Sequence, residues 1–155
     1  MATILVDFDG TCIPSLPMGG YTDYNTGAEK VLTDLIKKGH KIVLWTVRND
    51  SDNNPYNSVC KQFRGKTSLQ EAIDWFKDRN ILLYGVNNYP NEEESVGKSR
   101  KILGDYLIDD VSVGTPMKNV NIKYYSCLTG KTDSIDTSHV DWDRIRIILE
   151  NKGLL

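Results

Sequence analysis

Apolar residues fall in short runs separated by longer amphipathic stretches. Residues 3–8 form the first run, with Ile4, Leu5, Val6 and Phe8, and predict a strand buried on both faces. Over 27–38, Ala28, Val31, Leu32, Leu35 and Ile36 recur at helical spacing, and Gly39 follows as a stop. Ile42, Val43, Leu44 and Trp45 then give a second buried strand. Strand, helix and strand in that order predict parallel strands joined by a right-handed crossover. Leu69, Ala72, Ile73, Trp75 and Phe76 mark another helix, opened by Ser68 and Glu71 at capping-box spacing and ending near Arg79.

Residues 81–86 and 106–108 read as the third and fourth strands. Between them Pro90 breaks the chain, and Glu92, Glu93 and Glu94 precede Lys98, Arg100 and Lys101 in the order that suits a helix dipole. Residues 122–126 suit an edge strand. Asp141 caps a last helix whose Trp142, Ile145, Ile148 and Leu149 face inward. The expected fold class is α/β: a Rossmann-like, open, mostly parallel sheet with helices on both faces. No repeat or linker divides the 155 residues, so a single domain over 1–155 is expected.

Composition narrows the field modestly. The chain is 39% hydrophobic and 26% charged with a net charge of −2, which offers no general attraction to nucleic acid or an anionic membrane. Lys61, Arg64 and Lys66 make a small basic cluster that reads as a solvated loop. Cys12, Cys60 and Cys127 have no metal-ligand or CxxC spacing and read as isolated thiols. Isolated thiols, no span of membrane length and no signal-like start point to a cytoplasmic protein. His40 and His139 show no partner pattern.

The chemistry lies where polar groups interrupt apolar runs. In an open parallel sheet ligands bind beyond the carboxyl ends of the strands. Asp7, Thr46 and Asp109 each occupy that end of a strand, and Asp9 and Asp110 lie just beyond. Asp7 and Asp9, two apart in extended backbone, point the same way. Carboxylates gathered at one edge repel unless a cation joins them. Oxygen-only ligands favour magnesium, and Gly10 and Thr11 suit the approach of a phosphate.

With Asp-Phe-Asp-Gly-Thr at 7–11, Leu-Trp-Thr at 44–46, a lysine at 98 or 101 and Ile-Asp-Asp at 108–110, the chain resembles the haloacid dehalogenase (HAD) superfamily of phosphohydrolases. The matching segments follow the family order across a motif-bearing core of about 1–112, leaving 113–155 as a C-terminal extension. The resemblance implies a magnesium-dependent phosphomonoester hydrolase. Asp7 would be the nucleophile that forms an aspartyl-phosphate, and Asp9 the general acid and then base. It further implies that Thr46 binds a phosphoryl oxygen and that Lys101, with Lys98 as rival, neutralises charge. Asp7, Asp109 and Asp110 would hold the metal with the main-chain carbonyl of Asp9. Gly10 would donate its amide to the phosphate. Arg48, two residues beyond Thr46, is a candidate substrate contact.

Neither usual insertion point has room for a folded cap: residues 12–25 form only a loop, and little separates Val86 from Glu92. An open, capless site is expected, taking a phosphorylated substrate of unstated class. Open members of the superfamily act on large substrates or use a second copy of the chain as a lid. A phosphotransferase of the same fold and a non-catalytic phosphate-binding module are the alternatives. A receiver-type signalling domain would place the acidic pair first, which is not the order here.

Overall fold

The computed structural model describes residues 1–50, 66–88 and 103–155. Its centre is a parallel four-stranded sheet. Strand β1 (Thr3–Val6) has every residue buried and lies between β3 (Lys41–Leu44) and β5 (Tyr106–Ile108). Strand β4 (Gly85–Val86) adds to the far side of β3, so the order is β4-β3-β1-β5. Val6 stands level with Leu44 on one side and Ile108 on the other. The sheet is therefore even at its carboxyl edge, where Asp7, Trp45 and Asp109 follow.

The buried runs form strands because both faces are covered. On one face Ile4, Val6, Ile42 and Leu44 join a core with three helices. Helix α1 (Ala28–Lys37) contributes Val31, Leu32 and Leu35, and helix α2 (Ser68–Asp78) contributes Leu69, Ala72 and Phe76. Helix α3 (Trp142–Asn151) adds Trp142, Ile145 and Leu149. On the other face Leu5 and Val43 pack with Trp45 and Tyr84 in a small second cluster. Among the described residues the helices thus gather on one face, not on both as the alternation of elements suggested. Residues 89–102, with the expected charged helix face, lie outside the described residues, as do Lys61 and Arg64 of the basic cluster.

Three further differences from expectation have local causes. The cap of α2 is Thr67, whose hydroxyl accepts from the Gln70 amide at 3.1 Å, so the helix is capped one residue before Ser68, and Glu71 is not part of a capping box. The 81–86 run forms a strand only at its end, because Ile81 turns into the core while Tyr84 and Asn87 donate to Ile42 and Leu44. The polar segment after Pro116 is a long antiparallel hairpin. Strand β6 (Met117–Ser126) pairs along its whole length with β7 (Lys131–Val140), and short β2 (Gly20–Tyr21) lies along β6. The mostly exposed β7 carries no apolar alternation to announce it.

The C-terminal segment is no appendage. Val140, Trp142, Ile145, Leu149 and Leu154 belong to the main core. Asp141 caps α3 by accepting from the Arg144 amide at 3.2 Å, as its position before the apolar stripe predicts. Cys12 is a buried free thiol, whereas Cys127 is disulfide-bonded and departs from the expectation of isolated thiols. Among the described residues no helix is long and apolar enough to cross a membrane.

Candidate metal and phosphate site

At the carboxyl edge the central strand passes directly into chemistry. The Asp7 amide donates to the Ile108 carbonyl at 3.0 Å, extending the β1–β5 ladder by one residue. This places Asp7 beside Asp109 and Asp110. Carboxylate oxygens of Asp7, Asp109 and Asp110 all lie within 4.8 Å of one another. Three half-buried acids at that spacing can hold a metal ion.

The turn that follows is built around this group. Gly10 has φ +73°, and a Cβ there would stand 2.4 Å from Asp110 Oδ2, so only glycine lets Asp110 approach. Fully buried Thr11 links two of the acids. Its hydroxyl donates to Asp7 Oδ2 at 3.3 Å and accepts from the Asp110 amide at 3.1 Å. Asp109 Oδ1 accepts from the Val111 amide at 2.8 Å, which fixes its own turn. The hairpin and α3 brace the turn from behind. The Val140 amide donates to the Gly10 carbonyl at 2.9 Å, and Trp142 Nε1 donates to the Thr11 carbonyl at 2.8 Å.

Electrostatics matches the geometry. Burial pushes the Asp7 carboxyl up to about 6, and the repulsion of Asp109, Asp9 and Asp110 adds to it against a backbone hydrogen bond at Phe8. Asp110 is raised as well, first by burial and then by Asp109. No described lysine or arginine pairs with Asp7, Asp109 or Asp110. Repulsion of this kind is what a divalent cation relieves.

Asp9 stands apart from the three. Arg48 grips both of its oxygens, Nε to Oδ2 and Nη2 to Oδ1, each at 2.7 Å. Arg48 Nη1 also reaches Glu71 Oε2 at 3.1 Å and the Ser68 carbonyl at 3.2 Å, and the guanidinium lies 4.7 Å from the Phe8 ring centroid. Burial opposes the Arg48 charge, but the bond to Asp9 and the two acids outweigh it and hold the guanidinium above its ordinary range. Glu71 is shifted upward because its burial outweighs Arg48.

Thr46 lies on the same edge, two residues beyond Leu44. Its hydroxyl accepts from the Arg48 amide at 3.3 Å, and its own amide donates to Asn87 Oδ1 at 2.8 Å. Asn87 takes a left-handed φ of 49° to reach it. Lys98 and Lys101 lie outside the described residues.

Of the residues singled out from sequence, the fold brings Asp7, Asp109, Asp110 and Gly10 into one cluster. Asp9 with Arg48 forms a second group beside it, so the Asp9 side chain is not among the grouped carboxylates. Thr11, read from sequence as suited to a phosphate, in addition ties Asp7 to Asp110, whereas Glu71 and Asn87 were missed as site residues. Glu71 looked like a cap residue, and its pairing with Arg48 bridges 23 positions that no local pattern connects.

Comparison with known proteins gives one informative likeness. A conserved protein coded by a locus of Bacteroides thetaiotaomicron has a solved structure that is 32% identical over 73% of this chain and 78% of its own, with a TM-score of 0.51. No family model matches the chain. No curated protein matches it either.

Proposed function

The chain belongs to the same family as the conserved Bacteroides thetaiotaomicron protein, and from its own site we propose that it is a HAD-type, magnesium-dependent phosphomonoester hydrolase. The observation that carries the reading is the cluster of Asp7, Asp109 and Asp110 oxygens at the carboxyl edge of a parallel sheet, opposite the Gly10–Thr11 turn.

The donor set suits a hard divalent cation. All three side chains offer oxygen, Asp7 is raised by burial and then by its acidic neighbours, and the glycine cradle keeps Asp110 close. Asp7, Asp109 and Asp110 would hold the ion. Magnesium, when bound, supplies charge that neutralises a phosphate and keeps Asp7 ionised.

The protein's own residues do the rest. An Asp7 oxygen attacks phosphorus, the bond from phosphorus to the leaving oxygen breaks, and Asp9 gives that oxygen a proton. Water then attacks the aspartyl-phosphate, passes a proton to Asp9 and releases Asp7 with inorganic phosphate. The Gly10 amide and the Thr46 hydroxyl bind phosphoryl oxygens during both steps. Lys101 or Lys98 is the cation this scheme assigns to the phosphate. The protein is expected to act on a phosphorylated substrate, without a folded cap over the site.

The test is hydrolysis of an aryl phosphate with and without magnesium, beside Asp7→Asn. Turnover that requires magnesium and is lost in the variant supports the reading. Wild-type turnover no greater than that of Asp7→Asn rejects it.

A further inference from the structure

Arg48 has the sequence position of a substrate contact, but its bonds point elsewhere. All three guanidinium nitrogens are engaged by protein: Nε and Nη2 by Asp9, Nη1 by Glu71 and the Ser68 carbonyl. The side chain is only 18% exposed. A fork that takes both oxygens of a carboxylate fixes its plane as well as its position. Glu71 and Ser68 fix the fork in turn. Both belong to the first turn of α2, which Leu69, Ala72 and Phe76 anchor in the core.

We propose that Arg48 and Glu71 are positioning residues, a two-step clamp from α2 that holds the Asp9 carboxyl in line for proton transfer. The inference rests on the phosphohydrolase reading of Asp7 and Asp9. Asp9 stands on a loop and is 43% exposed, so its carboxyl would otherwise rotate freely. Loss of a fixed orientation weakens proton transfer far more than it weakens binding. The clamp does not block that transfer, since each carboxylate oxygen keeps a lone pair beside the one Arg48 takes. In the first step the Asp9 proton goes to the leaving oxygen as its bond to phosphorus breaks and the Asp7 bond forms. In the second, the attacking water returns a proton to Asp9 as the Asp7 bond breaks.

Proton delivery matters little when the leaving group is a nitrophenolate and greatly when it is an alkoxide. The experiment compares kcat/KM for a nitrophenyl phosphate and a simple alkyl phosphate, both with magnesium, and the inhibition constant of inorganic phosphate. The proteins are wild type, Arg48→Ala, Arg48→Lys, Glu71→Gln, Asp9→Asn and the Arg48→Ala/Glu71→Gln double variant. Arg48→Ala is expected to lose about tenfold or more on the alkyl substrate relative to its loss on the aryl one. Phosphate inhibition should stay within about twofold of wild type, because ground-state binding is untouched. Glu71→Gln should show the same selectivity more weakly, and the double variant should be no worse than Arg48→Ala. Arg48→Lys keeps the charge without the fork and should not restore the alkyl activity. If Arg48→Ala does not fold, Arg48→Lys and Glu71→Gln carry the same comparison. Equal losses on both substrates would reduce the clamp to a purely structural role and overturn the proposal. Weakened phosphate inhibition would make Arg48 a substrate contact and overturn it too. Asp9→Asn separates the two levels: wild-type rates on both substrates would reject the role of Asp9 itself, whereas alkyl-selective loss in Asp9→Asn without any in Arg48→Ala would reject only the clamp.

Discussion

Trp142 Nε1 donates to the Thr11 carbonyl at 2.8 Å across 131 positions of chain. The bond ties the first turn of α3 to the turn that carries Gly10 and Thr11. Both partners are buried, so neither can turn to water instead. Trp142→Phe keeps the ring's bulk but leaves that carbonyl without its donor. A loss of about 1–3 kcal/mol is expected from an orphaned buried acceptor. Urea unfolding of the two proteins measures it, and an unchanged midpoint would contradict it.

Gly10→Ala should damage the site more than the fold. The left-handed backbone costs about 1 kcal/mol with a side chain in place, and the new Cβ would overlap Asp110 Oδ2. Asp110 has to move out of the cluster. The rise in Tm on adding magnesium should therefore disappear in the variant. Gly39→Ala is the matched control, since Gly39 has φ +83° and nothing within 4 Å of its Cβ position. It should lose comparable stability and keep the magnesium shift.

Asp7 makes the metal-free protein pH-sensitive. Its folded pKa, about 6, lies above the ordinary 3.8, so the native state binds a proton that the unfolded state has released. Its favourable contribution is whole below about pH 4 and is lost as pH rises through 6. Without metal, Asp7→Asn should be more stable than wild type at pH 7.5, and the gain should vanish near pH 4. Magnesium needs the ionised carboxylate, so its stabilisation of wild type should grow from pH 5 to 7.5. Thermal melts over that range, with and without magnesium, check both slopes.

His40 joins the two ends of the chain. Its Nδ1 accepts from the Ala2 amide at 3.0 Å, and its Nε2 lies 2.9 Å from the Leu154 carbonyl. The neutral ring donating from Nε2 satisfies both contacts. His40→Ala removes them together and should destabilise by about 1–3 kcal/mol without changing magnesium dependence of the melt.

The parallel core was legible because its strands are buried on both faces and read as unbroken apolar runs. Val6, Leu44 and Ile108 end level, so the acids that follow Val6 and Ile108 had to meet. The hairpin was not legible. Strand β7 carries Lys131, Asp133, Ser134 and Asp136 on largely exposed positions, and its pairing comes from β6, not from burial. The site was legible as a set of residue types and not as a set of pairings. Asp9 and Arg48 were both visible in the sequence, but nothing local shows that the arginine holds the aspartate. Glu71 at its spacing from Ser68 looked like a cap because capping and long-range pairing use the same carboxylate.

The order β4-β3-β1-β5 has a consequence for how the molecule acquires its site. Strand β1 is an inner one, and neither neighbour is adjacent to it in sequence. Asp7 gains its acidic companions only after a segment about a hundred residues later has docked beside β1, and the turn around Gly10 is braced only by residues at 140–142. Contacts of such long separation form late. A stalled or truncated chain could hold the helix–strand unit of α1 and β3 and still lack the assembled cluster. On the proposed function, stabilisation by magnesium would report the closure of the whole topology, and its recovery during refolding should trail the return of helical signal.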